Sequence, residues 1–63
     1  MGQKDEEKDP IPGEVARTAE YIAELCADLA RMARGDGLDT LAYLLDMARL
    51  EAQSVTQQAK SLE

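Results

Sequence analysis

The sequence has no histidine, tryptophan or phenylalanine, and only one cysteine, two prolines and two tyrosines in 63 residues. Each scarcity excludes a class of protein. With no histidine, Cys26 has no imidazole base to activate it as a nucleophile. A lone thiol closes no internal disulfide and makes no zinc site. Two tyrosines alone give no stacking platform for single-stranded nucleic acid. No stretch approaches the roughly 20 apolar residues of a membrane span. The most apolar run, Leu38–Ala52, is interrupted by Asp39, Asp46, Arg49 and Glu51. There is no Gly-rich phosphate loop, Ser/His/Asp set or metal-ligand cluster. The expectation is a non-enzymatic protein with no catalytic residue, no metal and no cofactor.

Positive charge is also scarce. Seven basic residues face thirteen acidic ones, for a net charge of −6 and a pI near 4.4. Nucleic-acid binding needs a cationic face for phosphates, and anionic lipid repels such a chain, so neither partner is expected. The single cysteine and the absence of an apolar leader suit a reducing, cytoplasmic setting.

What is present is helical periodicity. Residues 1–13 are charged and carry Pro10, Pro12 and Gly13, and read as a disordered tail. Helix 1 is expected over about 14–34, after Pro12 and Gly13, with Glu14 in its first turn. Val15, Ala19, Ile22, Cys26, Leu29 and Ala33 recur at steps of four and three, the spacing of one packed helix face. Leu25 and Met32 widen one flank and Ala23 and Ala30 the other, while Glu14, Arg17, Glu20, Glu24, Asp28 and Arg31 lie on the far side. Ala19, Cys26 and Ala33, small at alternate seam positions, should let a partner helix approach closely. Asp28–Arg31 and Glu14–Arg17 have the spacing of i,i+3 ion pairs. The turn is 35–37, with Gly35 suited to the left-handed position that closes a helix. Asp36 is favoured over Asp39 as the cap of helix 2.

Helix 2 is expected over about 38–58. Leu38, Leu41, Leu45, Ala48, Ala52 and Val55 form its seam against helix 1. Tyr43, Met47 and Leu50 form a second stripe roughly opposite, and Leu44 joins the two. Residues 59–63 are expected to fray, with Leu62–Glu63 reading as an expression-vector scar. A short turn makes the two helices antiparallel neighbours.

Three smaller features have bland readings beside sharper ones. Cys26 on the seam is a small buried hydrophobe rather than a reactive thiol. Glu20, Glu24 and Asp28 are a solvated face rather than a cation site. Asp46 pairs with Arg49 one turn on, or with an arginine of a second chain.

The run YIAELCADLARMARGDGLDTLAYLLDMARLEA, residues 21–52, resembles short uncharacterised bacterial proteins built on similar helical hairpins. That resemblance implies a small helical protein and brings no function or site residue with it.

The expected fold is an all-α, antiparallel two-helix hairpin. A 63-residue domain buries only about 60% of its unfolded surface, and small domains commonly compensate by oligomerising. The expected assembly is therefore a homodimer forming a four-helix bundle, through Leu25, Met32, Tyr43, Leu44, Met47 and Leu50. The expected function is a self-associating adaptor or regulator. One alternative is sequestration of another protein's amphipathic helix by helix 2. Another, of a different class, is a metal-binding or catalytic subunit that gathers acids, Asp46 among them, across a dimer groove.

Overall fold

The computed structural model describes residues 12–62. It consists of two helices packed against each other, α1 (Pro12–Gly35) and α2 (Asp39–Ser61). Most of the expected N-terminal tail, residues 1–11, lies outside the described residues, as does Glu63. Pro12 and Gly13 belong to α1 rather than preceding it. Proline suits the first helical position, where its fixed φ is already helical and its missing N–H would have had no partner. The C-terminal end holds longer than expected, since α2 is helical to Ser61 and the backbone N–H of Leu62 donates to Ala59 and Lys60.

The turn is closed by backbone geometry. The N–H of Leu38 donates to the carbonyl of Ala33 at 2.8 Å, and that of Gly37 to Arg34 at 3.0 Å. This pair of bonds is the Schellman arrangement, which places Gly37 at the left-handed position. Its φ is 77°. The expected assignment of that role to Gly35 is therefore corrected by two residues: Gly35 is the last residue of α1. The expected aspartate cap is corrected too. Leu38 stands at the N-cap of α2 without a side-chain bond, and its carbonyl accepts from Ala42 at 2.9 Å. Having closed α1, the turn leads directly into α2.

The two glycines should respond oppositely to alanine. A Cβ at Gly35 meets nothing within 4 Å, and alanine there relieves the entropic cost of a helical glycine. Gly35→Ala should stabilise the fold by about 0.5–1 kcal/mol. Gly37→Ala should destabilise it by about 1–2 kcal/mol, the cost of a left-handed L-residue. Urea midpoints of the two variants on opposite sides of the parent would bear this out.

The contact between the helices is made of small residues. The nine buried apolar residues among those described are Ala16, Ala19, Ala23, Cys26, Ala30, Ala33, Ala42, Ala52 and Ala59. Thr56 is buried with them, and its hydroxyl donates to the carbonyl of Ala52 at 2.9 Å, so it leaves no unmet polar group. On α1 the seam steps three, four, three, four, three from Ala16 to Ala33. On α2 the same rhythm runs through Ala42, Leu45, Arg49, Ala52, Thr56 and Ala59, with Leu45 and Arg49 half-buried.

This corrects the expected core. Ala19, Cys26, Ala33 and Ala52 are buried as expected, and Val15, Leu45 and Val55 are half-buried. Ile22 and Leu29 remain 44% and 39% exposed, Leu38 and Leu41 49% each, and Ala48 is also exposed. The expected seam on each helix is rotated from the real one by about 50°, half the angle one residue turns. The physical reason is close approach. A stripe of methyl-sized side chains lets two backbones pack nearer than leucines would. The larger residues are then displaced to the groove beside the contact.

Candidate interaction surface

The alanine seam divides the hairpin into two unlike sides. In an antiparallel pair, the residues flanking the seam on one edge of each helix face each other. On one edge these are polar. Asp46 of α2 accepts from Arg34 of α1, and Arg49 lies 3.7 Å from the other oxygen of Asp46. Toward the chain ends, Lys60 pairs with Glu20 at 2.8 Å. Asp28 and Arg31 pair along α1. Asp46 therefore makes the expected contact with Arg49 and a second, unexpected one across the hairpin. Asp46 and Arg49 are half-buried and the other members of these pairs more open to water; such pairs contribute little each, but they make this edge polar.

The opposite edge is mostly apolar, with a few polar residues at its border. Near the turn, Leu29, Met32 and Ala33 of α1 line a depression with Leu38, Leu41 and Leu45 of α2. Toward the middle, Val15, Thr18, Ala19 and Ile22 line a groove with Ala48, Ala52 and Val55, and Glu14 and Glu51 also border it. At the open end the lining is Pro12, Val15, Val55, Gln58, Ala59 and Leu62. The larger residues that sequence spacing assigned to the hairpin core, Val15, Ile22, Leu29, Leu38, Leu41, Leu45 and Val55, thus form the walls of an open groove.

The expected interface residues are all exposed. Leu25, Met32, Tyr43, Leu44, Met47 and Leu50 are each more than two-fifths accessible. The helical turn angle splits them. Leu25, Met32 and Leu44 extend the apolar face beyond Ile22, Leu29 and Leu41. Met47 points directly away from α1, and Tyr43 and Leu50 lean toward the polar edge. Sequence spacing puts Ala19 and Ala33 on the seam but Ala23 and Ala30 only on its flank, and it passes over Ala16; all five are buried in the contact.

No group of three or more His, Cys, Asp or Glu side chains that could hold a metal ion occurs among the described residues. Cys26 is buried in the seam. It should react slowly with a thiol reagent in the native state and quickly in denaturant. Cys26→Ser should cost about 1–2 kcal/mol through a poorly paired buried hydroxyl. Native labelling as fast as in urea would place Cys26 outside the contact. No helix among the described residues is long and apolar enough to cross a membrane.

Comparison with protein-family models, curated proteins and solved structures returns no match for this chain.

Proposed function

We propose that this chain is a non-enzymatic helical interaction protein that self-associates through its apolar face into a dimeric four-helix bundle. One observation carries the reading: the hairpin buries its smallest apolar residues and leaves its largest ones outside. No large side chain among the described residues is fully buried, while Ile22, Leu25, Leu29, Met32, Leu38 and Leu41 are all exposed. Soluble proteins ordinarily do the reverse. Burying a Leu or Ile is worth about 1.5–3 kcal/mol, against less than about 1 kcal/mol for a methyl-sized group. The alanine seam alone is thus a weak counterweight to the chain entropy of folding. A contiguous exposed apolar face of this kind marks an interaction site. The exposed apolar face is what supports an adaptor or regulator role.

A second reading rests on Tyr43, Met47 and Leu50. They lie on α2 away from the groove and stay exposed, which leaves them available to an amphipathic helix of another protein even in a dimer. Sedimentation equilibrium at micromolar concentration separates the readings. A species of twice the chain mass supports self-association. A stable folded monomer of 6.9 kDa overturns it and leaves the helix-sequestering reading.

A further inference from the structure

The apolar face is not uniform along its length. Its bulk lies at the turn end, where Leu29, Met32, Leu38, Leu41 and Leu45 surround one depression. From the middle toward the other end the walls are Val15, Thr18, Ile22, Ala48 and Val55, bordered by Glu14 and Glu51; Ile22 is their one large side chain, and they leave an open groove. Two identical faces can be brought together by a twofold axis in two ways. With the axis along the helices, turn end meets turn end: bulk opposes bulk, and the two grooves face each other unfilled. With the axis across the helices, each turn end lies over the partner's groove.

We infer that the occupant of this face is a second copy of the chain in the end-for-end orientation, so that α1 packs antiparallel on the partner's α1. This rests on the homodimer reading above and goes beyond it by fixing the symmetry. The registers support it. A twofold through the middle of α1, Pro12–Gly35, exchanges residue r with 47 − r, because 12 + 35 = 47. Ile22 then meets the partner's Leu25, Val15 meets the partner's Met32, and Thr18 meets the partner's Leu29. Each pair sets a larger side chain against one of similar or smaller size, which fills a layer evenly where the other symmetry does not.

The extent of the face suits this occupant. Helices of 24 and 23 residues at 1.5 Å per residue and roughly 10 Å wide present about 700 Å² in projection. That is close to the roughly 800 Å² per partner of a standard stable interface. The arrangement has one electrostatic cost. Glu51 lies near the middle of α2, so the rotation brings both copies to the same outer edge, where water screens them.

The symmetry is read by one distance. A nitroxide on Asp36→Cys in a Cys26→Ala background labels each turn once, and alanine fits the surrounding alanine seam. In the dimer, the end-for-end orientation separates the labels by a helix length, about 35 Å. A label separation under about 20 Å, in a sample that sediments as a dimer, overturns the orientation while leaving self-association intact. A sample that sediments as a monomer overturns both. If the labelled variant fails to fold, isotope-filtered NOEs between labelled and unlabelled wild-type chains serve instead. Contacts between Val15 and Met32 methyls of different chains are the expected result. Contacts of Met32 with the partner's Leu41 or Leu44 would contradict it.

Discussion

Ala30→Leu should unfold the hairpin or force its helices apart, although it makes the chain more hydrophobic. Ala30 lies in the contact between the helices and is 1% exposed. Three added carbons at that point have no space unless the helices separate, which loosens the neighbouring contacts at Cys26 and Ala33 as well. Overpacking of this kind costs about 1–3 kcal/mol and sometimes more. A chain of 63 residues, at about 0.05–0.15 kcal/mol per residue, has roughly 3–9 kcal/mol of total stability. The variant should therefore lose a large share of its stability, read as a lower urea midpoint and reduced helicity by circular dichroism. Ala42, also 1% exposed, should behave the same way. If both leucine variants are as stable as the parent, the seam is not where the structure places it.

Ile22→Glu combined with Leu29→Glu should act on assembly instead. Both side chains stand on the apolar edge, partly exposed, so the monomeric hairpin has room for the glutamates. In the proposed dimer each chain loses two buried aliphatic groups, worth about 1.5–3 kcal/mol apiece. Charge is also brought to a face that is already bordered by Glu14 and Glu51. Association should weaken by about a thousandfold or more in affinity, giving a monomer at micromolar concentration. Tyr43→Glu with Leu50→Glu is the counterpart on the other side of α2. It should leave the dimer intact and remove only a helical partner that docks there. If the first pair stays dimeric while the second dissociates, the two surfaces have been assigned the wrong way round.

The helices, their antiparallel packing and the short turn were legible in the sequence because each has a local physical signature. The three–four spacing, the glycines of the turn and the polar breaks all act within a few residues. The rotation of each helix was not legible in the same way. On α1, two overlapping sets share Ala19, Cys26 and Ala33. One adds Ala16, Ala23 and Ala30, and the other adds Val15, Ile22 and Leu29. Hydrophobicity favours the second set and close approach favours the first; the hairpin contact uses the first. The turn shows the same limit on a smaller scale. Both Gly35 and Gly37 could take the left-handed position, and only the bonds from Gly37 and Leu38 back to Arg34 and Ala33 decide between them. The link between Arg34 and Asp46, twelve residues apart, has no signature in spacing because it depends on that rotation.

The central claim is that the alanine seam shapes the hairpin while the larger apolar residues stabilise it through a second chain. The most direct test is the melting temperature of the wild-type protein across a hundredfold range of concentration. If folding draws on association, the melting temperature rises with concentration, because the native dimer is favoured by mass action. A melting temperature that stays constant over that range, in a protein that remains helical, would contradict the account.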